Sequence, residues 1–306
     1  PAPPPALDGE RALPAIRRVA VLGGGLMGSG IAQVCAQAGF ETLVREVHEG
    51  AAQRARAAVE RGLQRAVEKG RLDAAGRDAA LARLTVTAEL EACADRDLVI
   101  EAVVEDLDAK NAAWRELDAL CPPTTLFASN TSSLTIAAMA AVTARGDRMC
   151  GLHFFNPVPA MALVEVVRTV TTSDATVARA FAFVRALGKE PILARDSAGF
   201  VVNLLLVPYL LDAIRQLERG VASVRDLDVG MKLGAGHPMG PLELSDFIGL
   251  DTLWRVAEIM WAEYRDPRYA GPPLLRRMVV AGMYGRKSGR GFYDYAQDPP
   301  AAVHVL

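Results

Sequence analysis

The stretch that decides the fold is Val19-Ala20-Val21-Leu22-Gly23-Gly24-Gly25-Leu26-Met27-Gly28. Its first four residues form an apolar run that stops at glycines, which is typical of a buried strand, and helical spacing of apolar residues follows. A Gly-x-Gly-x-x-Gly pattern between a strand and a helix predicts a dinucleotide-binding loop. Gly23 permits the tight turn, Gly25 lets the backbone approach a pyrophosphate, and Gly28 lets helix and strand pack closely. We predict that Leu26 and Met27, inside the pattern, also contact the dinucleotide.

An acidic residue, Glu46, follows the second predicted strand, residues 42–44, and lies 23 positions beyond Gly23. A carboxylate about 20 residues after the glycine motif hydrogen-bonds a ribose 2′-hydroxyl and repels a 2′-phosphate. This placement favours NAD over NADP. Arg45 beside it could partly accommodate a phosphate, so NADP stays open as the alternative.

Strand and helix signals alternate through the first half of the chain. Further strands are predicted at residues 98–100, 125–128 and 149–155, and helices at 26–38 and 51–69. After residue 196 helical segments take over, at residues 197–219, 224–233, 242–247, 252–264 and 273–282. This pattern predicts an α/β protein. We expect a disordered leader over 1–15, a Rossmann-type doubly wound sheet over 16–196 and an all-α domain over 197–306 for substrate binding and dimerisation.

Composition excludes several classes of function. The 306 residues carry a formal net charge of −2, which does not suit nucleic-acid binding. Four cysteines, at positions 35, 93, 121 and 150, have no Cys-x-x-Cys spacing, which favours a reducing compartment, and we expect the cytoplasm. The histidines at 48, 153, 237 and 304 lack metal-ligand spacing, so no metal is expected. The most apolar stretch, residues 200–211, is too short to span a membrane.

From about residue 16 to residue 295 the sequence resembles 3-hydroxyacyl-CoA dehydrogenases, especially the stand-alone bacterial type that acts on 3-hydroxybutyryl-CoA. The matching segments, in order, are residues 21–33, 97–105, Ser129-Asn130-Thr131-Ser132-Ser133, Gly151-Leu152-His153-Phe154-Phe155-Asn156-Pro157-Val158-Pro159, 163–167, 199–203, 237–244 and 285–293. No single segment is specific, but their order and spacing together are. The resemblance implies NAD-dependent oxidation of an (S)-3-hydroxyacyl-CoA, short-chain in particular, to 3-oxoacyl-CoA.

The family's catalytic residues fall on four positions here. The resemblance implies that His153 is the base and that Glu165, in the next strand, orients it across a hairpin-like return. Ser132 and Asn203 match residues that contact the substrate oxygen and thioester. Each has an ordinary alternative: a buried histidine can be a core residue, and Ser132 can belong to a turn or helix cap. An amide in an apolar helix, such as Asn203, needs a partner if it is buried.

The resemblance also supplies ligand-contact positions. Residues that match cofactor contacts are Glu105, Lys110, Asn130, Ser132, Asn156 and Lys287. Lys69 matches a CoA contact, and Lys110 is a second candidate for CoA phosphates. Lys69 ends a basic helix that bears Arg54, Arg56, Arg61 and Arg65. This helix could attract CoA phosphates or could simply present a solvated face.

Three departures from the family pattern concern the substrate. Ala162 and Leu204 stand where lysine and arginine are common, and Gly62 stands at a position that is often serine. The missing charges leave two alternatives open: a dehydrogenase of free hydroxy acids or sugar acids, and a non-catalytic structural relative that binds NADH. A homodimer is expected, because the segment 200–211 is apolar on every side and a small helical domain cannot easily bury it.

Overall fold

A computed structural model describes residues 15–132 and 134–304 of the chain. The chain divides into two compact units, one ending at Ser197 and the other beginning at Ala198. The predicted leader covers residues 1–15, and residues 1–14 of it lie outside the described residues. Ser133 also lies outside them. Within the described ranges no helix has both the length and the apolar character needed to cross a membrane.

The first unit is built on an eight-stranded sheet. Its strands are β1 (Arg18–Leu22), β2 (Glu41–Arg45), β3 (Leu84–Thr87), β4 (Leu98–Glu101), β5 (Leu126–Ser129), β6 (Met149–Phe154), β7 (Leu163–Arg168) and β8 (Glu190–Arg195). The order is β3-β2-β1-β4-β5-β6-β7-β8, and neighbours run parallel except β6 and β7, which are antiparallel. The reversal of strand order beside β1 creates the crevice in which doubly wound sheets bind ligands. The predicted fold class is confirmed.

Helices connect and cover these strands. They are α1 (Leu26–Gln37), α2 (Glu49–Glu68), α3 (Ala74–Ala82), α4 (Leu107–Leu120), α5 (Ile136–Ala140) and α6 (Asp174–Ala186). Gly39 follows α1 with a φ of 97°, a left-handed conformation that glycine commonly adopts after the end of a helix. The His48 side chain caps α2 by accepting a hydrogen bond from the Ala51 amide, so this helix begins two residues earlier than predicted.

The second unit is mainly helical. It contains α7 (Val202–Glu218), α8 (Val224–Val229) with a π-helical extension (Gly230–Gly234), α9 (Pro241–Ile248), α10 (Leu250–Tyr264) and α11 (Pro273–Val280). The prediction of an all-α domain is corrected by a short antiparallel pair, β9 (Tyr293–Asp294) and β10 (Ala301–Ala302). Helix α7 begins at Val202 rather than near 197, because Gly199 and Phe200 have φ values of 84° and 49°, outside the α region.

A buried carboxylate holds the C-terminal segment of the second unit. Asp246, at the end of α9, accepts hydrogen bonds from the amides of Phe292 (3.0 Å) and Tyr293 (2.9 Å) and from the hydroxyl of Tyr295 (3.1 Å). Desolvation by burial is the main cause that raises the pKa of Asp246, to about 6. Ionising this side chain therefore works against the fold.

Candidate active site

The glycine loop after β1 meets two packing requirements and leaves one position open. Gly23 has a φ of 85°, and a Cβ there would lie 2.8 Å from the carbonyl oxygen of Ala102. A Cβ on Gly28 would lie 1.7 Å from the Gly23 carbonyl oxygen. A Cβ on Gly25 would meet nothing within 4 Å, although Gly25 directly precedes α1. The protein's own packing does not require glycine at 25, which fits a backbone left open for a bound phosphate.

The two residues inside the glycine pattern differ in environment. Leu26 is 75% exposed and lines a cleft in the first unit. Met27 is half-buried and packs against the core of that unit. Leu26 is therefore available to a ligand, and the predicted contact of Met27 with the dinucleotide remains a prediction.

Glu46 is fixed against the glycine loop. One carboxylate oxygen accepts the Gly24 amide at 2.6 Å, and the other accepts the Val47 amide at 3.2 Å. Arg45 points elsewhere, since its Nε donates to the carbonyl oxygen of Ala88 at 3.3 Å. Glu46 lines the cleft and Arg45 does not. This placement favours the NAD reading over the NADP alternative.

The cleft has a volume of about 1030 Å³ and lies between α1, α2 and the loop after β6. Its lining includes Gly25, Leu26 and Glu46 at one part, and residues 156–160 at another. Asn156, a predicted cofactor contact, is exposed in that second segment. The first unit thus contains a concave site large enough for a nucleotide.

One face of α2 is basic and turned towards the cleft. Its cleft-lining cations are Arg54, Arg61, Arg65 and Lys69, which ends the helix, and Arg71 follows in the next turn. Arg56 is different, since its Nε pairs with Glu60 at 2.9 Å and it does not line the cleft. Positions 54, 61 and 65 share a helical face at 3.6 residues per turn, and position 56 lies opposite. The alternative interpretation of this helix, a face exposed to solvent, therefore applies to Arg56. The other cations line the cleft.

His153 and Glu165 meet as predicted. They are direct register partners on the antiparallel strands β6 and β7. The Nδ1 atom of His153 lies 2.6 Å from Glu165 Oε2, and the histidine is 5% exposed while the glutamate is fully buried. The ring also packs against Phe155, with centroids 4.5 Å apart. A carboxylate at Nδ1 favours the tautomer whose Nε2 can accept a proton.

The loop after β5 lies beside the histidine. The Asn130 side-chain oxygen accepts the amide of Phe154, the residue after His153, at 2.9 Å. Ser132 follows in the same loop and is half-buried, and its amide donates to Glu105 Oε1 at 3.3 Å. Asn130 therefore ties the loop to β6, and its oxygen is engaged in that structural contact. The structure brings Ser132, Glu105 and the His153 strand into one region of the first unit.

Lys110, a predicted contact of the cofactor and of CoA, is more enclosed than its sequence position suggests. Its side chain is fully buried on α4, with Nζ 2.5 Å from Glu101 Oε1 and 3.2 Å from Glu105 Oε2. The ammonium group is thus engaged by two carboxylates, and its assigned contacts with the cofactor and with CoA phosphates remain predictions.

Two predicted site residues belong to the second unit. Asn203 is the second residue of α7 and is half-buried, so the argument that burial forces a partner on its amide does not hold. Lys287 lies in a short 3₁₀ turn (Arg286–Ser288) and pairs with Asp251 at 2.5 Å, with its side chain 47% exposed. Their assigned roles in binding substrate and cofactor remain predictions.

The family departures have local physical contexts. A Cβ on Gly62 would lie 2.2 Å from Gln33 Oε1, so the glycine accommodates the buried glutamine of α1. Ala162 is exposed, and its carbonyl accepts the Glu190 amide at 2.7 Å. Leu204 packs against the core of the second unit.

Sequence reasoning missed two residues of this region, Glu101 and Arg71. Glu101 ends the buried strand β4 with both oxygens engaged, and Arg71 lines the cleft beyond α2. A charged residue at the carboxyl end of an apolar strand run was the available signal for Glu101, because ligands bind at that edge.

The strands β1, β4, β5 and β6 run parallel, so the glycine loop and His153 lie at the same, carboxyl edge of the sheet. Such a sheet, with a glycine loop, an acidic residue after β2 and a buried histidine–carboxylate pair, defines a dinucleotide-dependent oxidoreductase. The family model described as "3-hydroxyacyl-CoA dehydrogenase, NAD binding domain" matches residues 18–197, and that described as "3-hydroxyacyl-CoA dehydrogenase, C-terminal domain" matches residues 199–295. The chain belongs to the 3-hydroxyacyl-CoA dehydrogenase family, and its first unit carries that family's NAD-binding domain.

Known proteins show similarity over most of the chain. A 3-hydroxybutyryl-CoA dehydrogenase of Mycobacterium tuberculosis is 51% identical over 92% of this chain and 99% of its own length. The human mitochondrial hydroxyacyl-coenzyme A dehydrogenase is 43% identical, covering 92% of this chain and 91% of its own. The crystal structure of the (S)-3-hydroxybutyryl-CoA dehydrogenase from Ralstonia eutropha superposes with a TM-score of 0.89 at 44% identity, over 92% of this chain and all of the other.

Proposed function

We propose that this protein oxidises the 3-hydroxyl group of a short-chain (S)-3-hydroxyacyl-CoA, such as 3-hydroxybutyryl-CoA, to the 3-oxoacyl-CoA with NAD. The observation that carries the proposal is the buried contact between His153 Nδ1 and Glu165 Oε2 at 2.6 Å, on the same sheet edge as the glycine loop. It is supported by the names of the relatives and by the basic cleft beside α2.

The residues divide the reaction among them. His153 Nε2 takes the proton from the 3-hydroxyl, and Glu165 holds the ring in the required tautomer and stabilises the imidazolium that forms. Ser132 donates a hydrogen bond to the oxygen as it becomes a carbonyl, and Asn203 is proposed as a further contact of the substrate. When bound, NAD supplies the acceptor for the hydride that leaves C3.

Binding is proposed to use the residues around the cleft. The open backbone at Gly25, with Leu26, suits the pyrophosphate, and Glu46 suits the adenosine ribose. Lys69 and the neighbouring arginines of α2 suit the phosphates of CoA. Asn156 and Lys287 are proposed as further cofactor contacts. The first unit would thus bind NAD.

A homodimer formed through the second unit is part of this proposal. Only one face of α7 is buried within the chain, at Val207, Leu210, Leu211, Ile214 and Leu217. Leu205 is 71% exposed and Val201 is also exposed, one turn away on the same face. A dimeric mass by light scattering, lost in Leu205→Glu, would support the assignment, and a monomeric mass at micromolar concentration would refute it.

A reducing compartment, the cytoplasm, is proposed as the location. All four cysteines are free and buried in the described structure. Proteins of oxidising compartments more often pair such residues.

The test is the oxidation of NADH with acetoacetyl-CoA, run beside free acetoacetate and beside NADPH. Turnover with the thioester and NADH alone is the expected result. Turnover with the free acid instead would move the assignment to a hydroxy-acid dehydrogenase. His153→Gln should slow the reaction by about 10²–10⁴-fold, because one positioned base is lost. NADH binding without turnover of any substrate would indicate a non-catalytic relative.

A further inference from the structure

A fully buried carboxylate, Glu101, lies at the carboxyl end of β4 next to the proposed active-site loop. Its Oε1 atom accepts hydrogen bonds from Lys110 Nζ at 2.5 Å and from the Val103 amide at 2.8 Å. Its Oε2 atom accepts the Ser129 hydroxyl at 2.5 Å. Glu101 therefore connects three segments: its own strand, the last residue of β5, and helix α4.

The contacts continue from Lys110 to the loop that carries Ser132. The Lys110 ammonium also lies 3.2 Å from Glu105 Oε2. The other oxygen of Glu105 accepts the Thr131 hydroxyl and the Ser132 amide, the latter at 3.3 Å. A continuous series of polar contacts thus runs from Glu101 through Lys110 and Glu105 to Ser132.

Folding alone gives no clear reason for this arrangement. Removing the Glu101 carboxylate and the Lys110 ammonium from water costs several kcal/mol per ion, and an apolar set of similar volume is often as stable. The charges instead fix the relative positions of the groups, because short charge-assisted hydrogen bonds restrain both distance and angle. The restrained loop is the one whose Asn130 side chain bonds the Phe154 amide, next to the catalytic histidine.

We infer that Glu101 is a positioning residue for the reaction. Through Lys110 and Glu105 it fixes the Ser132 loop relative to His153, and it touches neither substrate nor cofactor. Without Glu101, the Glu105 carboxylate is the only charged partner of the Lys110 ammonium among the contacts described above. The Lys110–Glu105 contact then changes, and with it the restraint that Glu105 places on the Ser132 loop. The inference rests on the proposed function, because it assumes that Ser132 contacts the reacting oxygen.

The first experiment measures kcat for acetoacetyl-CoA reduction in Glu101→Gln. A displacement of the loop by about 1 Å predicts a fall of about 10- to 100-fold in kcat. Asp118→Asn is the matched control, since it breaks another largely buried ion pair of the same helix, with Arg145 Nε 2.5 Å from Asp118 Oδ1. The control should lower Tm while kcat stays within about 2-fold of wild type, because the pair is not connected to the loop. Equal losses of kcat in both variants would overturn the inference.

The second experiment separates positioning from stability. The pair Glu101→Gln with Lys110→Met removes the two fully buried charges together and leaves only Glu105, whose side chain is 22% exposed, as a charged member of the series. It should therefore restore part of the Tm lost in the single variant, since no fully buried ion is left unpaired. Its kcat should stay as low as in Glu101→Gln. Recovery of kcat along with Tm would show a merely structural role. If Glu101→Gln does not fold, the kcat of the double variant is compared with that of the wild type instead, and a wild-type kcat would show a merely structural role.

The third experiment tests the route through Ser132. In a Ser132→Ala background, adding Glu101→Gln should change kcat by less than about 2-fold, because residues acting as one unit are not additive. If the double variant instead shows the product of the two separate losses of kcat, the inference is refuted and the proposed function is unaffected. A wild-type rate in Ser132→Ala alone would instead refute the assigned contact of Ser132, and the inference would fall with it.

Discussion

Replacing Glu165 by glutamine tests the buried pair that carries the proposed function. The substitution keeps the size of the side chain and removes its charge. In the native protein Glu165 Oε2 lies 2.6 Å from His153 Nδ1, and both groups are buried. The variant tests whether the carboxylate is required for turnover or only fills space between β6 and β7.

The magnitude follows from the contact. A hydrogen bond to a charged group contributes about 1.5–3 kcal/mol. If that stabilisation is gained as the imidazolium forms, its loss raises the barrier by as much, which corresponds to about 10- to 150-fold in kcat. The glutamine amide can also donate to Nδ1, which places the ring proton on Nε2 and removes the base. A loss up to about 10⁴-fold is therefore possible.

The assay is the steady-state rate of NAD reduction with saturating (S)-3-hydroxybutyryl-CoA, the direction in which the imidazolium forms. Tm and the Kd for NADH, from fluorescence titration, are measured on the same preparations. The Kd should stay near its wild-type value, because Glu165 lies in β7 and outside the glycine loop, and the Tm shows whether the variant is folded at the assay temperature. A variant that is folded, binds NADH and turns over within about 2-fold of wild type would refute the role of the pair, since the expected loss is at least about 10-fold.

Three further predictions follow from the site and from the second unit. Gly25→Ala should fold normally but bind NADH more weakly. Gly28→Ala should lose stability, because its Cβ would lie 1.7 Å from a carbonyl oxygen. We expect the first variant to change the Kd for NADH and the second to lower the Tm. Lys69→Ala should raise KM for acetoacetyl-CoA by about 5-fold or more with KM for NADH unchanged, while Arg56→Ala, on the opposite face of α2, should change neither. The pKa of Asp246 is raised from its ordinary value of 3.8 to about 6 in the folded state, so folding takes up a proton between those two pH values. Its contribution to the free energy of unfolding should therefore fall by about 1 kcal/mol between pH 5 and pH 7, a slope that denaturant titrations should find missing in Asp246→Asn.

The central strands could be predicted because their sequences carry strong signals. β1 is buried along almost its whole length, and such strands in parallel sheets read as continuous apolar runs. β3 was missed because only its first residue, Leu84, is buried and it is four residues long. β8 was missed because it begins Glu190-Pro191 and alternates irregularly at the sheet edge. Edge strands lack the apolar run that identifies central ones.

The site shows the same division between local and long-range information. The glycine loop and the pairing of His153 with Glu165 depend on nearby sequence and a single return of the chain. The burial of Lys110 depends on carboxylates from two other positions, Glu101 and Glu105, that enclose it. A lysine in a helix with other polar residues reads as exposed, and only the packed structure shows otherwise.

The antiparallel pairing of β6 and β7 has a consequence for how binding energy is used. Two backbones joined by a ladder of hydrogen bonds hold His153 and Glu165 opposite each other. No loop has to close and no side chain has to be ordered to assemble this pair, so the entropy of bringing acid and base together is lost during folding and not at each turnover. The binding energy of the substrate is then available for the contacts with the adenosine end of CoA and with the reacting oxygen. The histidine should accordingly have the same ring orientation in the free and the ligand-bound enzyme.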